Sequence, residues 1–275
     1  MVSQFRDRTS ARSKGWRNIV QVIIFDRAEE IGNYAADLIL RGVDRGEINV
    51  LGVATGSSPL PIYIALSNKR TTRLSNISVF ALDEYVGLPY SHPESYHSVV
   101  QREVTVPLGL APAKVHVPDG VAQDVPKACI DYECDISAAG GVDLQILGIG
   151  TDGHIGFNEP SSSLASRTRI KTLTPATRAD NARFFNSVDD VPKHCITQGL
   201  GTIMESKQIL LVSQGISKAR AVAESIEGPV SSMCPASLLQ MHPHVTVLLD
   251  VEAASELKLV DYYRFVFENR PAWQK

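Results

Sequence analysis

The sequence predicts an α/β fold in which helices cover both faces of a mainly parallel, Rossmann-like sheet. Short apolar runs rich in β-branched residues alternate along the chain with segments of helical periodicity. One of these runs, VDLQILGIG (142–150), is apolar nearly throughout, which is typical of a strand buried on both faces. Because no linker, repeat or low-complexity stretch divides the 275 residues, we expect residues 19–275 to form a single domain.

The individual elements follow from these patterns in chain order. Strands are predicted over 18–25, 48–54, 77–83, 142–150, 208–215 and 245–250. Helices are predicted over 28–43, from Pro59 to Leu66, over 217–228 and in the tail from Glu252. In the first helix, one stripe of apolar residues indicates a face that packs on the sheet. The stripe consists of Ile31, Tyr34, Ala35, Leu38 and Ile39.

The composition excludes several classes of protein. Apolar residues make up 44% of the chain and charged residues 21%, as in ordinary globular proteins with a large core. The net charge of −3 gives no basic surplus for binding nucleic acid or anionic lipid. No apolar run approaches the roughly 20 residues that a membrane-spanning helix needs.

The cysteines and the N-terminal segment suggest an intracellular protein. The four cysteines form no C-x-x-C pair, have no histidine at zinc-ligand spacing, and are expected to be buried thiols: Cys129, Cys134, Cys195 and Cys234. Residues 1–18 are basic and lack both a secondary-structure period and the apolar core of a secretion signal. We therefore expect a disordered extension and a cytoplasmic location, with an electrostatic arm as the alternative for this segment.

Loops that follow strands are the candidate ligand-binding segments, because α/β sheets bind ligands at the carboxyl ends of their strands. The first such loop, GVATGSSPLP (52–61), has hydroxyl groups before a predicted helix start. The helix N-terminus together with Thr55, Gly56, Ser57 and Ser58 would suit a monophosphate. It lacks the spacing of a nucleotide-binding P-loop. A plain turn with helix-capping hydroxyls is the alternative.

The second loop, FALDEYVGLP (80–89), has two acids at the end of an apolar strand. A carboxylate at Asp83 could be desolvated and act as a general base. For an isolated pair such as Asp83 and Glu84, the simpler interpretation is a strand end that returns to solvent.

The third loop, GIGTDGHIGFNEP (148–160), begins with the G-x-G-x-x-G pattern of dinucleotide-binding turns. No helical pattern follows the last glycine, and the region about 20 residues further on is basic where an acid should bind a ribose. The alternative is proton transfer by Asp152, His154 and Glu159, in which carboxylates fix the tautomer of the imidazole. A metal site from the same residues is less favoured because it lacks a second histidine, so we expect no metal and no cofactor.

Basic residues follow the third loop, at Arg167, Arg169, Lys171, Arg178 and Arg183. Most of them are explained by a solvated face. Lys218 opens a predicted helix, where it opposes the helix dipole unless an anion lies between them. A phosphate site, a strand-end carboxylate and an acid–histidine group together indicate proton transfer on a small phosphorylated metabolite, but they do not identify it.

Five segments, in this order, closely resemble the glucosamine-6-phosphate deaminase family: ATGSSP, LDEYVGLP, HPESYHS, GIGTDGHIGFNEPSSSLASRTRIKTLT and ARFF. The resemblance runs from about Val20 to about Lys258 and implies conversion of D-glucosamine 6-phosphate and water to D-fructose 6-phosphate and ammonium. It implies that Asp83 moves a proton between C2 and C1. His154 would open the sugar ring, oriented by Asp152 and Glu159.

The resemblance also implies how the substrate is held and how the site closes. Residues 55–58, Arg183 and Lys218 would hold the phosphate group. A mobile lid would cover approximately residues 169–198. Some members of the family are hexamers activated by N-acetylglucosamine 6-phosphate, and we expect a homo-oligomer here. The residues that match the activator site are Ser162, Arg169 and Lys171.

Two differences from the family pattern leave open whether N-acetylglucosamine 6-phosphate activates this protein. A tail tyrosine associated with the activator site aligns with Arg264, and the chain begins about 19 residues before the usual start.

Two other functions remain as alternatives. The related 6-phosphogluconolactonases keep a similar histidine loop and phosphate site, but the FNEP and LDEYVGLP segments favour the deaminase. A non-catalytic sugar-phosphate sensor would need a DNA-binding segment and would have little reason to keep Asp83 and His154 together.

Overall fold

The computed structural model describes residues 19–271, which form two β-sheets with helices around them. The ten strands of these residues are β1 (Ile19–Phe25), β2 (Val50–Val53), β3 (Ser78–Ala81), β4 (Asp83–Tyr85), β5 (Val115–His116), β6 (Leu144–Leu147), β7 (Arg169–Thr172), β8 (His194–Thr197), β9 (Ile209–Ser213) and β10 (His244–Asp250). Their nine α-helices are α1 (Ala28–Asp44), α2 (Leu60–Asn68), α3 (Tyr96–Val100), α4 (Val106–Leu108), α5 (Val125–Ala138), α6 (Pro175–Asn181), α7 (Leu200–Met204), α8 (Ala219–Ile226) and α9 (Val260–Glu268). A π-helical turn, Gln101–Thr105, joins α3 to α4.

The main sheet has seven strands in the order β1-β10-β9-β6-β2-β3-β5, and every neighbouring pair is parallel. The smaller sheet has the order β4-β8-β7 and is antiparallel. The predicted α/β class with a mainly parallel sheet is confirmed. Because β3, β2, β6 and β9 are adjacent, the loops that follow them meet at one edge of the sheet.

The core lies on both faces of the main sheet. Alternate residues of β9 show this: Leu210 packs with the cluster around α1 and α2, whereas Leu211 packs with the cluster around α7 and α8. Within the first cluster, the predicted stripe of α1 is buried at Ile31, Ala35 and Ile39. Helices therefore cover both faces, as the alternation of strands and helices predicted.

Several boundaries differ from the prediction. The predicted strand over 77–83 ends at Ala81, where the side chains of Gln198 and Tyr132 donate to the Ala81 carbonyl over 3.0 and 2.7 Å. The chain then crosses to the smaller sheet, so that Asp83 begins β4. The predicted strand over 142–150 is regular only over Leu144–Leu147, and the glycines beyond it form a loop.

The C-terminal segment is only partly helical. From Glu252 the chain first makes turns, and α9 begins at Val260. The Asp250 carboxylate accepts a hydrogen bond from the Ala253 amide at 2.7 Å, which stabilises a turn where the sequence predicted a helix. Cys129, Cys195 and Cys234 are buried as expected, but Cys134 is exposed because it falls off the buried stripe of α5. The expected disordered extension, residues 1–18, lies outside the described residues.

No helix among the described residues is long and apolar enough to cross a bilayer.

We predict that Tyr63→Phe destabilises the fold beside the first loop. Tyr63 in α2 is 1% exposed, and its hydroxyl donates to the Ala54 carbonyl at 2.7 Å, directly before the Thr55–Ser58 segment. Loss of the hydroxyl leaves that buried carbonyl without this donor, which should lower the free energy of unfolding by about 1–3 kcal/mol. Denaturant unfolding measures the change.

Tyr34→Phe is the matched control, because the Tyr34 hydroxyl forms no hydrogen bond with another described residue and its ring contacts stay the same. An equal loss of unfolding free energy in the two variants would show that the hydrogen bond to Ala54 does not contribute to stability.

Candidate active site

A cleft of about 420 Å³ opens at the carboxyl edge of the main sheet. Its lining brings together eight of the residues singled out from the sequence, which are Thr55, Gly56, Ser57, Ser58, Asp83, His154, Arg183 and Lys218. They come from the ends of β2, β3, β6 and β9 and from the segment between β7 and β8. The parallel topology therefore gathers into one cleft residues that lie far apart in the chain.

Asp83 lies in the floor of this cleft and is 6% exposed. Its backbone pairs with Thr197 of β8, at the point where the chain passes from the main sheet to the smaller one. Burial, with a smaller contribution from the neighbouring Glu84, raises the pKa of Asp83 well above its ordinary value. The suggestion that this acidic pair returns to solvent is wrong, and a buried carboxyl with a raised pKa suits proton transfer.

Glu84 faces away from Asp83, and its side chain holds α3 against β4. It is 1% exposed, and its carboxylate accepts backbone hydrogen bonds from Tyr85, Tyr96 and His97 at 2.7, 2.9 and 2.8 Å. Burial raises the pKa of Glu84, although these three hydrogen bonds oppose the shift. Glu84 thus anchors the N-terminus of α3 to β4.

The glycines of the third loop make room for a histidine, and the loop does not lead into a helix. A Cβ atom on Gly150 would lie 2.2 Å from Cε1 of His154, so the imidazole packs directly on the Gly150 backbone. Gly153 has a φ of +83°, which allows the tight turn between Asp152 and His154. After this turn the chain forms a small bridge between Ile155 and Asn158. The match to the dinucleotide pattern is therefore coincidental.

Asp152 and Glu159 both lie beside Nδ1 of His154. An Oδ1 atom of Asp152 is 2.7 Å from Nδ1 and also accepts the backbone N–H of His154 at 3.1 Å. It lies off the Nδ1–H direction, so the contact with the ring is electrostatic. Burial alone would raise the pKa of Asp152, but the contacts with His154 prevail and hold it well below its ordinary value.

Glu159 is almost completely buried, with 3% of its surface exposed. One carboxylate oxygen accepts from the backbone N–H and the hydroxyl of Thr174 at 3.2 and 3.3 Å. The other oxygen lies 3.9 Å from Nδ1 of His154. The predicted group of two acids and one imidazole therefore exists in space, with the imidazole lining the cleft and the acids behind it.

The opposite part of the cleft is suited to an anion. Gly56 turns the chain with a φ of +96°, and Thr55, Ser57 and Ser58 precede α2. The Gln214 side chain donates to the Ser58 carbonyl at 3.2 Å, which ties this loop to the one that bears Lys218.

Two cations complete the anion-binding end. Lys218 is the residue directly before α8, and burial lowers the pKa of its amine. Arg183, in the 3₁₀ turn Ala182–Phe184, lines the same cleft. Backbone amides, hydroxyls and two cations around one space are typical of a phosphate site.

The segment proposed as a lid, residues 169–198, starts with β7 and ends close to the end of β8. Both strands belong to the smaller sheet with β4, so the two ends of the segment are anchored beside Asp83. Between them, α6 and Arg183 lie over the cleft, which is lined there by Thr177, Asp180, Asn181, Arg183 and Phe184.

The residues matched to an activator site lie outside the cleft lining. The Ser162 hydroxyl is buried and donates to the Glu159 carbonyl at 2.6 Å. The Arg169 guanidinium donates to Oδ1 of Asn158 at 2.8 Å, and burial lowers its pKa. Lys171 is partly exposed. Ser162 and Arg169 thus already make contacts within the chain, with Glu159 and Asn158 of the loop 148–160.

Several residues of the cleft lining were not predicted from the sequence, above all Tyr96, Arg102 and Glu103. They lie on α3 and the π-helical turn, and the Tyr96 ring stacks on Phe157 at 6.0 Å. The signal was present in ESYHS, where the Ser95 hydroxyl caps α3 by accepting from Ser98 at 3.1 Å. The element is too short to show a helical period.

The opposite pKa shifts of Asp83 and Asp152 predict opposite effects on stability. Because the pKa of Asp83 is raised on folding, ionisation of this carboxyl group disfavours the folded state. Asp83→Asn should therefore stabilise the fold at pH values above the folded-state pKa of Asp83. The pKa of Asp152 is lowered, so Asp152→Asn should remove stability that is present above the unfolded-state pKa and lost as the pH falls through the folded-state pKa.

Unfolding measured at neutral and at acidic pH tests this pair. For both variants, the difference in free energy of unfolding from the parent protein should become smaller as the pH falls. A loss of stability at neutral pH in Asp83→Asn, equal to that in Asp152→Asn, would contradict the burial argument.

Comparisons with known proteins identify the family to which the chain is similar. Residues 26–248 match the family model described as glucosamine-6-phosphate isomerases/6-phosphogluconolactonase. A protein of Pseudarthrobacter chlorophenolicus named glucosamine-6-phosphate deaminase is 58% identical over 93% of this chain and 99% of its own length. A protein of Mycolicibacterium smegmatis with the same name is 57% identical with the same coverage of both chains.

Solved structures show the same architecture. A structure described as a monomeric glucosamine-6-phosphate deaminase superposes with a TM-score of 0.84 and 41% identity, covering 86% of this chain and all of the other. A 6-phosphogluconolactonase from Trypanosoma cruzi, 18% identical, shares the fold with a TM-score of 0.70 over 88% of this chain and 98% of the other. The chain therefore belongs to the family of glucosamine-6-phosphate isomerases and 6-phosphogluconolactonases.

Proposed function

We propose that this protein converts D-glucosamine 6-phosphate and water to D-fructose 6-phosphate and ammonium, a hydrolytic release of the amino group coupled to aldose–ketose isomerisation. The observation that carries the proposal is one cleft with a buried Asp83 of raised pKa, an imidazole backed by two acids, and an anion site. Relatives named glucosamine-6-phosphate deaminase support it at 58% and 57% identity over nearly the whole chain.

The first chemical step is opening of the sugar ring, which exposes the C1 carbonyl. We assign this step to His154, because its imidazole lines the cleft while Nδ1 is buried against Asp152. The other ring nitrogen, Nε2, is then the one that can exchange a proton with the ring oxygen and the C1 hydroxyl. Asp152 and Glu159 would stabilise the imidazolium that forms after proton uptake.

The second step moves a proton from C2 to C1. Once C1 is a carbonyl, the proton on C2 becomes acidic, and Asp83 removes it to give an enolamine. Asp83 returns the proton to C1, which leaves an imine at C2. Addition of water to the imine carbon releases ammonium and leaves the C2 carbonyl of fructose 6-phosphate. The raised pKa of Asp83 favours this role, because the group must both accept and give up a proton.

Residues at the other end of the cleft would hold the phosphate group at a fixed distance from these atoms. Backbone amides and hydroxyls of Thr55–Ser58 would surround its oxygens, and Lys218 and Arg183 would balance its charge. Arg183 belongs to the segment 169–198, so phosphate binding would draw this segment over the substrate and exclude water.

Regulation, assembly and location are further parts of the same proposal. Ser162, Arg169 and Lys171 remain the candidate residues for binding N-acetylglucosamine 6-phosphate in a homo-oligomer. The structural neighbour at 41% identity is described as monomeric, and residue 264 is an exposed arginine. The cytoplasm stays the predicted location.

Ammonium release from glucosamine 6-phosphate, measured with and without N-acetylglucosamine 6-phosphate, tests the proposal. Release in both conditions supports deamination, and a leftward shift of the saturation curve with the acetylated sugar would indicate an activator site. Hydrolysis of 6-phosphogluconolactone without any ammonium release would overturn the proposal in favour of the lactonase. Binding of both sugar phosphates without turnover would indicate a sensor.

Replacement of His154 by Gln should slow turnover of the cyclic substrate by about 10²–10⁴-fold, because general acid–base catalysis of ring opening is lost. His97→Gln is the control, since His97 is exposed and its ring contacts Tyr90 outside the cleft lining. Steady-state ammonium release measures both variants. Parental turnover in His154→Gln would remove this residue from ring opening.

Lys218→Ala should raise KM by about 10–100-fold and change kcat much less, as expected for loss of a hydrogen bond to a charged group. Arg220→Ala on the same helix is the control, because Arg220 is exposed and pairs with Glu224 on the helix surface. A variant with low kcat and unchanged KM would show that Lys218 acts in the chemical step and not in phosphate binding.

A further inference from the structure

Asp152, His154 and Glu159 form a group beside the cleft in which two buried polar atoms make no well-aligned hydrogen bond within the described part of the chain. Nδ1 of His154 and Oε2 of Glu159 are both buried, and neither makes a well-aligned hydrogen bond within residues 19–271, although Oδ1 of Asp152 lies 2.7 Å from Nδ1. One donor atom each from Asp152, His154 and Glu159 lies within 4.8 Å of the others. Buried polar atoms without partners are uncommon and call for an explanation.

The surrounding contacts keep these atoms together. The turn at Gly153, with its φ of +83°, brings Asp152 next to the ring of His154. Thr174 occupies the other oxygen of Glu159, Oε1, and so leaves Oε2 on the side of the imidazole. Glu159 is 3% exposed, so water cannot freely solvate the remaining lone pairs.

We propose that Asp152, His154 and Glu159 form a binding site for an inhibitory divalent transition-metal cation of the zinc type. The donor set is one imidazole nitrogen and two carboxylate oxygens, which suits zinc and leaves a fourth position for water. Magnesium is excluded because it prefers oxygen ligands in octahedral geometry and retains its own waters. The site is distinct from the anion-binding end of the cleft.

The geometry needs only small movements to accept zinc. At metal–ligand distances of about 2.0–2.2 Å in a tetrahedral arrangement, two ligand atoms lie roughly 3.3–3.6 Å apart. The observed separations from Nδ1 are 2.7 Å to Asp152 and 3.9 Å to Glu159, on either side of this value.

Two further features favour entry of the cation. The Asp152 oxygen lies off the in-plane direction of Nδ1, so it does not fill the position along the nitrogen lone pair. The side chain of Asp152 is 36% exposed and offers an approach from solvent.

Binding of the cation would block the imidazole. Coordination uses the lone pair of Nδ1, so the neutral ring must carry its proton on Nε2, and an imidazolium would release one proton to solvent. Nε2 then has no lone pair with which to accept a proton from the substrate. The inhibition rests on the proposed role of His154 in ring opening, whereas binding of the cation does not.

Calorimetric titration of the intact, chelator-treated protein with Zn²⁺ tests the binding. We expect one cation per chain and no heat of binding with Mg²⁺. Glu159→Gln and Asp152→Asn should each weaken Zn²⁺ binding by at least about tenfold, since even loss of an outer-shell partner costs 10–100-fold. If the Glu159→Gln variant does not fold because Glu159 is buried, the Zn²⁺ affinity of Asp152→Asn alone tests the site, since Asp152 is more exposed.

Cys134→Ser is the matched control, because Cys134 is an exposed thiol that could bind zinc outside the site. Its Zn²⁺ affinity should equal that of the parent protein. The absence of Zn²⁺ binding, or affinity lost in Cys134→Ser and kept in the two carboxylate variants, would overturn the proposal.

Ammonium release in the presence of Zn²⁺ tests the inhibition. Turnover should fall with the same midpoint as the calorimetric binding curve and return after addition of a chelator. Full turnover with the site saturated would overturn the inhibitory role. Failure of the deaminase proposal would look different, because the metal-free protein would then release no ammonium at all.

Discussion

The burial of Asp83 between the two sheets is the constraint on which the rest of the site depends. The main sheet ends at Ala81, whose carbonyl receives the side chains of Gln198 and Tyr132, and the next residues pair with β8 instead. This crossing places a carboxyl group where water is scarce and raises its pKa. The same strand, β8, closes the segment 169–198, so Asp83 and the proposed lid share one structural support.

The glycine-rich loop 148–160 brings an imidazole and two acids together at the cleft. Gly150 leaves space for the ring of His154, and Gly153 allows the turn that puts Asp152 beside it. Glu159 then joins this group to Thr174, the capping residue of α6. The proposed proton transfer, the proposed closure of the cleft and the proposed zinc site therefore depend on the same few contacts.

The fold class and most of the site were predictable from sequence because they depend on local patterns. Buried parallel strands give apolar runs such as 142–150, and their loops carry the residues that meet in the cleft. The smaller sheet was not predictable, because β4 and β7 have only three and four residues and gain their pairing from distant parts of the chain. The position of Tyr96 in the cleft was not predictable for the same reason, since α3 has only five residues and is held by hydrogen bonds from its backbone to Glu84.

The most direct test of this account is the turnover of Asp83→Asn on glucosamine 6-phosphate, measured together with binding of fructose 6-phosphate by calorimetry. The account predicts that kcat falls by about 10²–10⁴-fold while product affinity stays close to that of the parent protein, because the phosphate site and the fold are intact and only the proton carrier is lost. A kcat near the parental value would contradict it, since proton transfer between C2 and C1 would then proceed without the buried carboxyl group.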